Sequence, residues 1–343
     1  MNDEYYFKLN KYLNDIFNYI EKKDIFLFEN LDDIYKLSKI IYNSFCEVEF
    51  SDVEKCNDLT FFDIINYSRE IINIIDEKYL VLFDNALNNG ELNFSYNERE
   101  DNYFLNLNDI GIINIDRSYN YQDIINLLHE FGHYLCNKGK KGTNLGYMLD
   151  EFIARYFEIQ ASKYVMGLGF KEEVVKASYT IEYLLDNIYE FMNYYSLVKM
   201  YYCFGDCNIY SQKLFKKYLY NIDLDKFNDL CLEKLELLDY IKEKYTNECR
   251  ENFEDFNSDE LICEMAKIFD EDYRYIIGTV LAFYPFDKKK ISDIIDNINT
   301  DKYEDISFTQ FCEKLNIDIN NENFVNIVCN SIEGYNKIIK KVR

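Results

Sequence analysis

The stretch 126-NLLHEFGHYL-135 contains both histidines of a chain of 343 residues. His129 and His133 are four positions apart, and Glu130 directly follows the first of them. On an α-helix this spacing places two side chains on one face, one turn apart, so both imidazoles can bind the same metal ion. Glu130 is rotated about a quarter-turn from His129, where it can reach a water molecule without being a ligand. The stretch therefore predicts the helix of an H-E-x-x-H metal site.

The flanking sequence indicates where this helix begins and how it packs. Asn120 can cap its N-terminus, and Asp123 falls in the first turn, where the free backbone amides favour an acid. Gly132 inside the helix costs about 1 kcal/mol relative to alanine, which indicates that another backbone passes close to it. We expect the buried apolar face to consist of Ile124, Ile125, Leu127, Leu128 and Leu135.

The helical period dominates the rest of the chain. Residues 91–116 differ, because "ELNFSY", "NYFLNLN" and "GIINID" are short, rich in β-forming residues and separated by turn-forming residues. The expected fold class is mainly α, with a small β-sheet preceding the H-E-x-x-H helix. Apolar residues recur at three- and four-residue spacing in Tyr5–Ile20, Leu31–Phe45, Phe61–Leu87, Glu172–Tyr202 and Leu230–Tyr245.

Composition limits the classes of partner and the expected location. The formal net charge of −24 repels the phosphates of nucleic acids and of anionic membranes, so neither is expected as a partner. The ten cysteines contain no C-x-x-C pair, which indicates reduced and mostly buried thiols. The N-terminus has no basic start followed by an apolar core, and no run of about eighteen apolar residues occurs. We therefore expect a cytoplasmic protein.

A catalytic metal site needs a third protein ligand and one open position. Because the chain has no further histidine, a carboxylate is favoured. The segment "MLDEFIARYFEIQASKYV", residues 148–165, predicts a second helix with Glu151 near its start and Glu158 two turns later on the same face. Two turns span about 11 Å, so only one of these acids can be a ligand. Glu151 is favoured, since Ala154 allows close helix packing and Asp150 adds a second acid. Glu158 is the second choice, or lies behind the ligands.

Two stretches resemble a known family. The segment "GIINIDRSYNYQDIINLLHEFGHYL", residues 111–135, followed by "DEFIARYFE", residues 150–158, is similar to the metal-binding core of the oligoendopeptidase F and thimet oligopeptidase family of zinc metallopeptidases. In that family a strand, a polar turn and H-E-[FL]-G-H precede a helix with an E-x6-E pair. Near the C-terminus "YRYIIGTVLA", residues 273–282, resembles the family's Y-x-Y-x-x-G segment. The likeness is tight over about residues 111–166 and looser over about residues 269–340.

The resemblance implies roles for individual residues. The first Glu of the pair is the third zinc ligand in the family, which implies this role for Glu151. The tyrosines of the Y-x-Y segment lie against the substrate carbonyl, which makes Tyr273 and Tyr275 candidates for stabilising the oxyanion. On a helix these two side chains point about 160° apart, so at most one should face the metal. Family members are longer and carry another histidine shortly before the tyrosines, a place near Met265 that holds none here.

These features predict a zinc-dependent metallopeptidase that hydrolyses short intracellular peptides. Zinc held by His129, His133 and Glu151 would acidify a water molecule, and Glu130 would act as the general base. One alternative is a site-specific regulatory protease that cuts one partner protein. The other is a non-catalytic, zinc-stabilised interaction module derived from a peptidase, although such a scaffold has no need of a general base.

The division into domains is weakly marked in the sequence. No Pro/Ser-rich linker, internal repeat or low-complexity tail separates one part from another. We expect an N-terminal helical region over residues 1–88 and a zinc-binding catalytic region over residues 89–343. One continuous domain is the alternative.

Overall fold

The chain divides into two compact units. One comprises Met1–Lys39 and Asn187–Tyr273, and the other comprises Ile40–Asp186 and Arg274–Arg343. Residue 88, near which the sequence suggested a join between two regions, lies inside the second unit. The structure is a computed structural model that describes residues 3–23, 31–45, 59–95, 102–107, 110–118, 120–140, 144–168, 179–218, 224–252, 256–300, 302–303, 306, 308–319 and 321–342.

Helices make up most of the described residues, and a small sheet precedes the histidine-bearing helix, so the predicted fold class is confirmed. Within these residues, none of the helices has the length and apolar character needed to span a bilayer. The strands are β1 Leu92–Ser95, β2 Tyr103–Leu107 and β3 Ile110–Asp116. The helices are α1 Asp3–Lys23, α2 Leu31–Phe45, α3 Phe61–Ile75, α4 Lys78–Asn88, α5 Gln122–Asn137, α6 Asn144–Gly167, α7 Tyr179–Phe204, α8 Ile209–Tyr218, α9 Leu224–Asn252, α10 Ser258–Phe283, α11 Lys288–Asn297, α12 Phe308–Lys314 and α13 Glu322–Val342.

In the first unit, helix α1 packs along α9. The apolar side of α1 is fully buried at Leu13 and Ile16. Tyr12 adds a polar link, because its hydroxyl donates to Oδ1 of Asp239 on α9 over 2.8 Å. The long-range contact explains why the amphipathic period of Tyr5–Ile20 forms a stable helix.

The continuous helical period of Phe61–Leu87 is interrupted in the structure, where α3 and α4 are separate helices. Asp76 lies between them with an extended backbone, at φ −163° and ψ 121°. Its Oδ1 atom accepts a hydrogen bond from the backbone amide of Lys78 over 3.2 Å. Aspartate side chains compete with helical hydrogen bonds in this way, so the helix ends although the apolar spacing continues.

The three predicted strands form one sheet in the order β1-β3-β2. Strand β1 runs parallel to β3, with Leu92 opposite Ile113, and β2 runs antiparallel to β3, with Phe104 opposite Ile113. Ile113 and Ile115 of the central strand are fully buried. The ring of Phe104 lies edge-on to that of Tyr134 on α5, at 6.0 Å between centroids, so this face of the sheet packs on the histidine-bearing helix.

Helix α5 lies in the core of the second unit. Its Phe131 is fully buried, and the ring packs edge-on against Phe83 of α4 at 5.2 Å and against Phe157 of α6 at 6.0 Å. The burial of Phe131 therefore sets the rotation of α5 about its own axis. The apolar face predicted from the sequence is buried as expected, at Ile124, Ile125, Leu127, Leu128 and Leu135.

The start of α5 is held by side chains on both sides of Tyr121. The predicted cap is displaced by one residue: Tyr121 is the N-cap of α5, and Oδ1 of Asn120, one position earlier, accepts from the backbone amide of Gln122 over 2.8 Å. Asp123 is fully buried, and it accepts from the backbone amide of Ser118 over 2.7 Å and from Nε of Arg117 over 2.8 Å. The predicted first-turn acid therefore binds the segment that leads into the helix.

Candidate metal centre

Helices α5 and α6 approach each other most closely where Gly132 meets Ala154. A Cβ atom built on Gly132 would lie 2.6 Å from Cα of Ala154 and 2.9 Å from its backbone nitrogen, so only glycine fits there. The close backbone approach expected from Gly132 is confirmed, and Ala154 is on the helix predicted to supply the third ligand. The crossing sets the histidine-bearing face of α5 against the start of α6.

Three side chains converge on one point at this crossing. Nε2 of His133 lies 3.3 Å from Nε2 of His129 and 3.5 Å from Oε1 of Glu151, and Oε2 of Glu151 lies 3.9 Å from Nε2 of His129. Ligands held at about 2.0–2.2 Å in a tetrahedral zinc site are separated by about 3.3–3.6 Å, a range that two of the three distances match. His129, His133 and Glu151 therefore form a cluster that could hold a metal ion.

The charge and burial of the cluster fit a cation. Glu151 is 4% exposed, and its Oε2 atom has no hydrogen-bond partner among the described residues. Nε of Arg155 lies 3.7 Å from this oxygen, beyond hydrogen-bond distance, so the protein itself compensates the buried charge only in part. Two imidazole nitrogens and one carboxylate are also the donor set of many catalytic zinc sites.

Glu151 is held in place from a second direction by α10. A Cβ atom built on Gly278 would lie 2.7 Å from Cβ of Glu151 and 2.9 Å from the backbone nitrogen of Phe152. Gly278 ends the "YRYIIG" segment that resembles the family's Y-x-Y-x-x-G motif. The absence of a side chain at this position lets α10 lie directly against the backbone of α6 beside the cluster.

Each imidazole has a carboxylate on the edge that faces away from the cluster. Nδ1 of His129 lies 2.8 Å from Oε2 of Glu158, and Nδ1 of His133 lies 2.9 Å from Oδ2 of Asp150. A carboxylate at Nδ1 favours the tautomer that carries the proton there and leaves the Nε2 lone pair free for a metal. Glu158, expected either as the second-choice ligand or behind the ligands, lies behind His129, whereas the sequence did not assign Asp150 to His133.

The carboxylate beside His133 is itself anchored by the side-chain amides of two asparagines. Nδ2 of Asn137 donates to Oδ1 of Asp150 over 2.8 Å and to the backbone carbonyl of His133 over 3.0 Å. Nδ2 of Asn299 donates to Oδ1 of Asn137 over 3.0 Å and to the carbonyl of Cys136 over 2.9 Å. This chain of hydrogen bonds fixes Asp150 at the C-terminal end of α5.

Burial and neighbouring charges shift the pKa values of Glu130 and His133. Glu130 is 7% exposed, and burial raises its pKa, an effect that His129 and His133 partly oppose. For His133 burial lowers the pKa, but Asp150 and the other nearby carboxylates raise it more, to about 10. A raised pKa brings a buried glutamate nearer to the range in which it can accept and return a proton at neutral pH.

A buried arginine lies next to the cluster. Nη1 of Arg155 lies 2.7 Å from Oε2 of Glu158, and its guanidinium carbon lies 4.6 Å from the ring centre of Tyr183 and 5.6 Å from that of Tyr275. Of the two tyrosines proposed for the oxyanion, Tyr275 is thus placed beside Arg155, and its catalytic role stays a prediction. The side chain of Tyr273 lies outside the described residues.

Sequence reasoning did not single out Arg155 or Tyr183. The spacing of Arg155, four residues after Glu151 and three before Glu158, is a helical ion-pair pattern that could have indicated its position. Tyr183 carries no such signal, because it comes from α7 and meets Arg155 only in the folded chain.

Comparisons with known proteins give one structural likeness. No protein-family model matches the chain, and no curated protein matches it. Among solved structures, the chain is similar to a crystal structure from Chlamydophila abortus described as a "putative peptidase", with 15% sequence identity and a TM-score of 0.49. The match covers 96% of this chain and 56% of that one, so this chain spans just over half the length of the structure it resembles.

Proposed function

We propose that this protein is a zinc-dependent metallopeptidase whose ion is held by His129, His133 and Glu151. The observation that carries the proposal is the convergence of their three donor atoms at 3.3–3.9 Å, beside the buried carboxylate of Glu130. Imidazole and carboxylate donors in a three-ligand site suit zinc better than other common ions.

The residues around the donors give each step of peptide hydrolysis a chemical group. A bound zinc ion would supply Lewis acidity that activates water and polarises a carbonyl. Glu130 accepts the proton of the attacking water and passes it to the leaving amine, a role suited to its raised pKa. We assign the hydrogen bond to the developing oxyanion to Tyr275 or Tyr273, which lie on α10 in the "YRYIIG" segment that also packs against Glu151.

The same geometry favours catalysis over a purely structural role for zinc. Structural zinc sites are closed by four protein ligands, whereas catalytic sites use three and keep one position open. Among the described residues the cluster contains three candidate ligands, His129, His133 and Glu151. A non-catalytic zinc-stabilised module would also have no use for a buried glutamate next to the ligands.

Short, unstructured intracellular peptides are the substrates we propose. The net charge of −24 repels anionic peptides, so neutral or basic sequences should bind better. A regulatory protease with one partner protein as its substrate would use the same residues. It would differ from a general peptidase in cutting a narrower range of sequences.

Measuring zinc content and cleavage of a quenched peptide library in the wild type and in Glu130→Gln tests the function. The variant should keep its zinc and lose about 10²–10⁴-fold in turnover, because only the proton transfer is removed. Glu190→Gln, a change in α7 outside the cluster, serves as the matched control and should behave as wild type. A chelator should abolish wild-type activity, and added zinc should restore it.

The same measurements separate the alternatives. A wild type that binds zinc but cuts nothing in the library or in a whole-cell protein extract is an interaction module. Cleavage of one protein in that extract, without cleavage of mixed peptides, identifies a regulatory protease. Activity that Glu130→Gln leaves unchanged excludes the proposed mechanism.

A further inference from the structure

We propose that Arg155 is a positioning residue of the metal centre, which holds Glu158 on His129 and balances the buried carboxylates around the ion. The inference rests on the proposed zinc site, and it assigns a role to a residue that does not itself bind the metal. Arg155 acts indirectly: it holds Glu158, and Glu158 orients the imidazole of His129.

The position of the guanidinium supports this role. On α6, Arg155 is one turn beyond Glu151 and one turn before Glu158. Its Nη1 atom lies 2.7 Å from Oε2 of Glu158, the same oxygen that lies 2.8 Å from Nδ1 of His129. Its Nε atom lies 3.7 Å from Oε2 of Glu151. One guanidinium therefore faces both the candidate ligand and the carboxylate that orients another candidate ligand.

The surroundings of Arg155 keep it in this position. The residue is 8% exposed, and its Nη1 atom is already bound to the carboxylate of Glu158. The rings of Tyr183 and Tyr275, which lie edge-on to each other at 5.4 Å, both face its guanidinium. Cation–π contacts with two rings stabilise the buried charge and restrict its rotamers.

The negative charge of the centre also supports a role for Arg155. A divalent ion neutralises two negative charges, and Arg155 neutralises a third. The guanidinium of Arg155 lies 2.7 Å from the carboxylate of Glu158 and 3.7 Å from that of Glu151, so its charge offsets part of theirs.

The test is a double-mutant cycle on the affinity of the full-length chain for zinc, measured by competition with a chromophoric chelator. Arg155→Met should weaken zinc binding by about 10–100-fold, as loss of a residue behind a ligand usually does. Glu158→Gln should have a similar effect. Because Arg155 acts through Glu158, the double variant should bind zinc about as well as Glu158→Gln alone. Arg155→Lys keeps the charge and should recover part of the affinity.

Arg69→Met is the matched control, since it removes an arginine from an exposed ion pair with Asp84 and should leave zinc affinity unchanged. Wild-type affinity in Arg155→Met, or losses that add in the double variant, would overturn the inference. If Arg155→Met does not fold, the cycle is run with Arg155→Lys, and additive losses again decide against it.

Cleavage measured on the same samples separates the two proposals. Zinc binding without peptide cleavage refutes the proposed peptidase function. The role of Arg155 is then decided by the zinc affinities of the double-mutant cycle alone. Normal zinc binding and cleavage in Arg155→Met refute only the positioning role. A wild type without any affinity for zinc overturns both.

Discussion

The carboxylate of Glu158 lies 2.8 Å from Nδ1 of His129, on the opposite edge of the imidazole from the Nε2 atom that faces His133. Glu151, seven residues earlier on the same helix, lies on the Nε2 side. The two acids of the E-x6-E pair therefore meet the same histidine from two sides, and they should differ in what their removal does to metal binding.

Replacing Glu151 by Gln should abolish stoichiometric zinc binding, whereas Glu158→Gln should weaken it by about 10–100-fold. The first change removes a donor atom, and the second removes only the group that orients one. Zinc titration against a chelator measures both effects, and Glu77→Gln, an exposed acid at the start of α4, is the control. Equal retention of zinc in the two variants would contradict the choice of Glu151 as ligand.

Gly132→Ala should destabilise the protein by about 1–3 kcal/mol, because the new methyl group has no room against the backbone of Ala154. Gly334→Ala in α13 is the matched control, since nothing lies within 4 Å of its added Cβ. There the change should stabilise by up to about 1 kcal/mol through helix propensity. Urea unfolding of both variants gives the comparison, and stabilisation in both would show that α5 and α6 are not in tight contact.

Gly278→Ala should reduce zinc affinity by about tenfold or more, because a methyl group 2.7 Å from Cβ of Glu151 must displace that side chain. Chelator competition measures the loss, again with Gly334→Ala as the control. The change tests whether the "YRYIIG" segment supports the cluster. Unchanged affinity would mean that α10 moves away instead of Glu151.

Arg117→Met should cost about 3–5 kcal/mol in unfolding free energy, since it removes the guanidinium whose Nε lies 2.8 Å from the fully buried carboxylate of Asp123. The double variant Arg117→Met, Asp123→Asn should recover part of this loss, because no buried charge is then left unpaired. Denaturant unfolding of the wild type, the single variant and the double variant measures these differences in unfolding free energy. A loss below about 1 kcal/mol would show that the pair does not hold the start of α5.

Local sequence signals predicted the parts of the centre that lie within one helix. The four-residue spacing of His129 and His133 places them on one face of α5 whatever surrounds it, and Gly132 indicated a close neighbour because its cost needs a structural reason. The strands at residues 91–116 were also recognisable, since each is short and bounded by turn residues.

The remaining features depend on contacts between elements distant in sequence. Glu158 faces Nδ1 of His129, and Asp150 faces Nδ1 of His133, because of the way α5 and α6 cross. Helical periodicity does not specify this crossing. Tyr183 reaches Arg155 from α7. The break at Asp76 was missed for a different reason: the apolar spacing continues across it, and the hydrogen bonds of Asp76 to the amide of Lys78 and to the side chain of Ser292 are not marked by the helical period.

The contact of Gly132 with Ala154 has a consequence for ion selectivity. Two helices whose backbones touch cannot separate to enlarge the cage between them, so the spacing of the two nitrogens and one carboxylate is set when the chain folds. Calcium requires six to eight oxygen atoms at about 2.3–2.6 Å, and magnesium retains most of its water shell. A rigid cage this small and rich in nitrogen should discriminate against both of these abundant cellular cations.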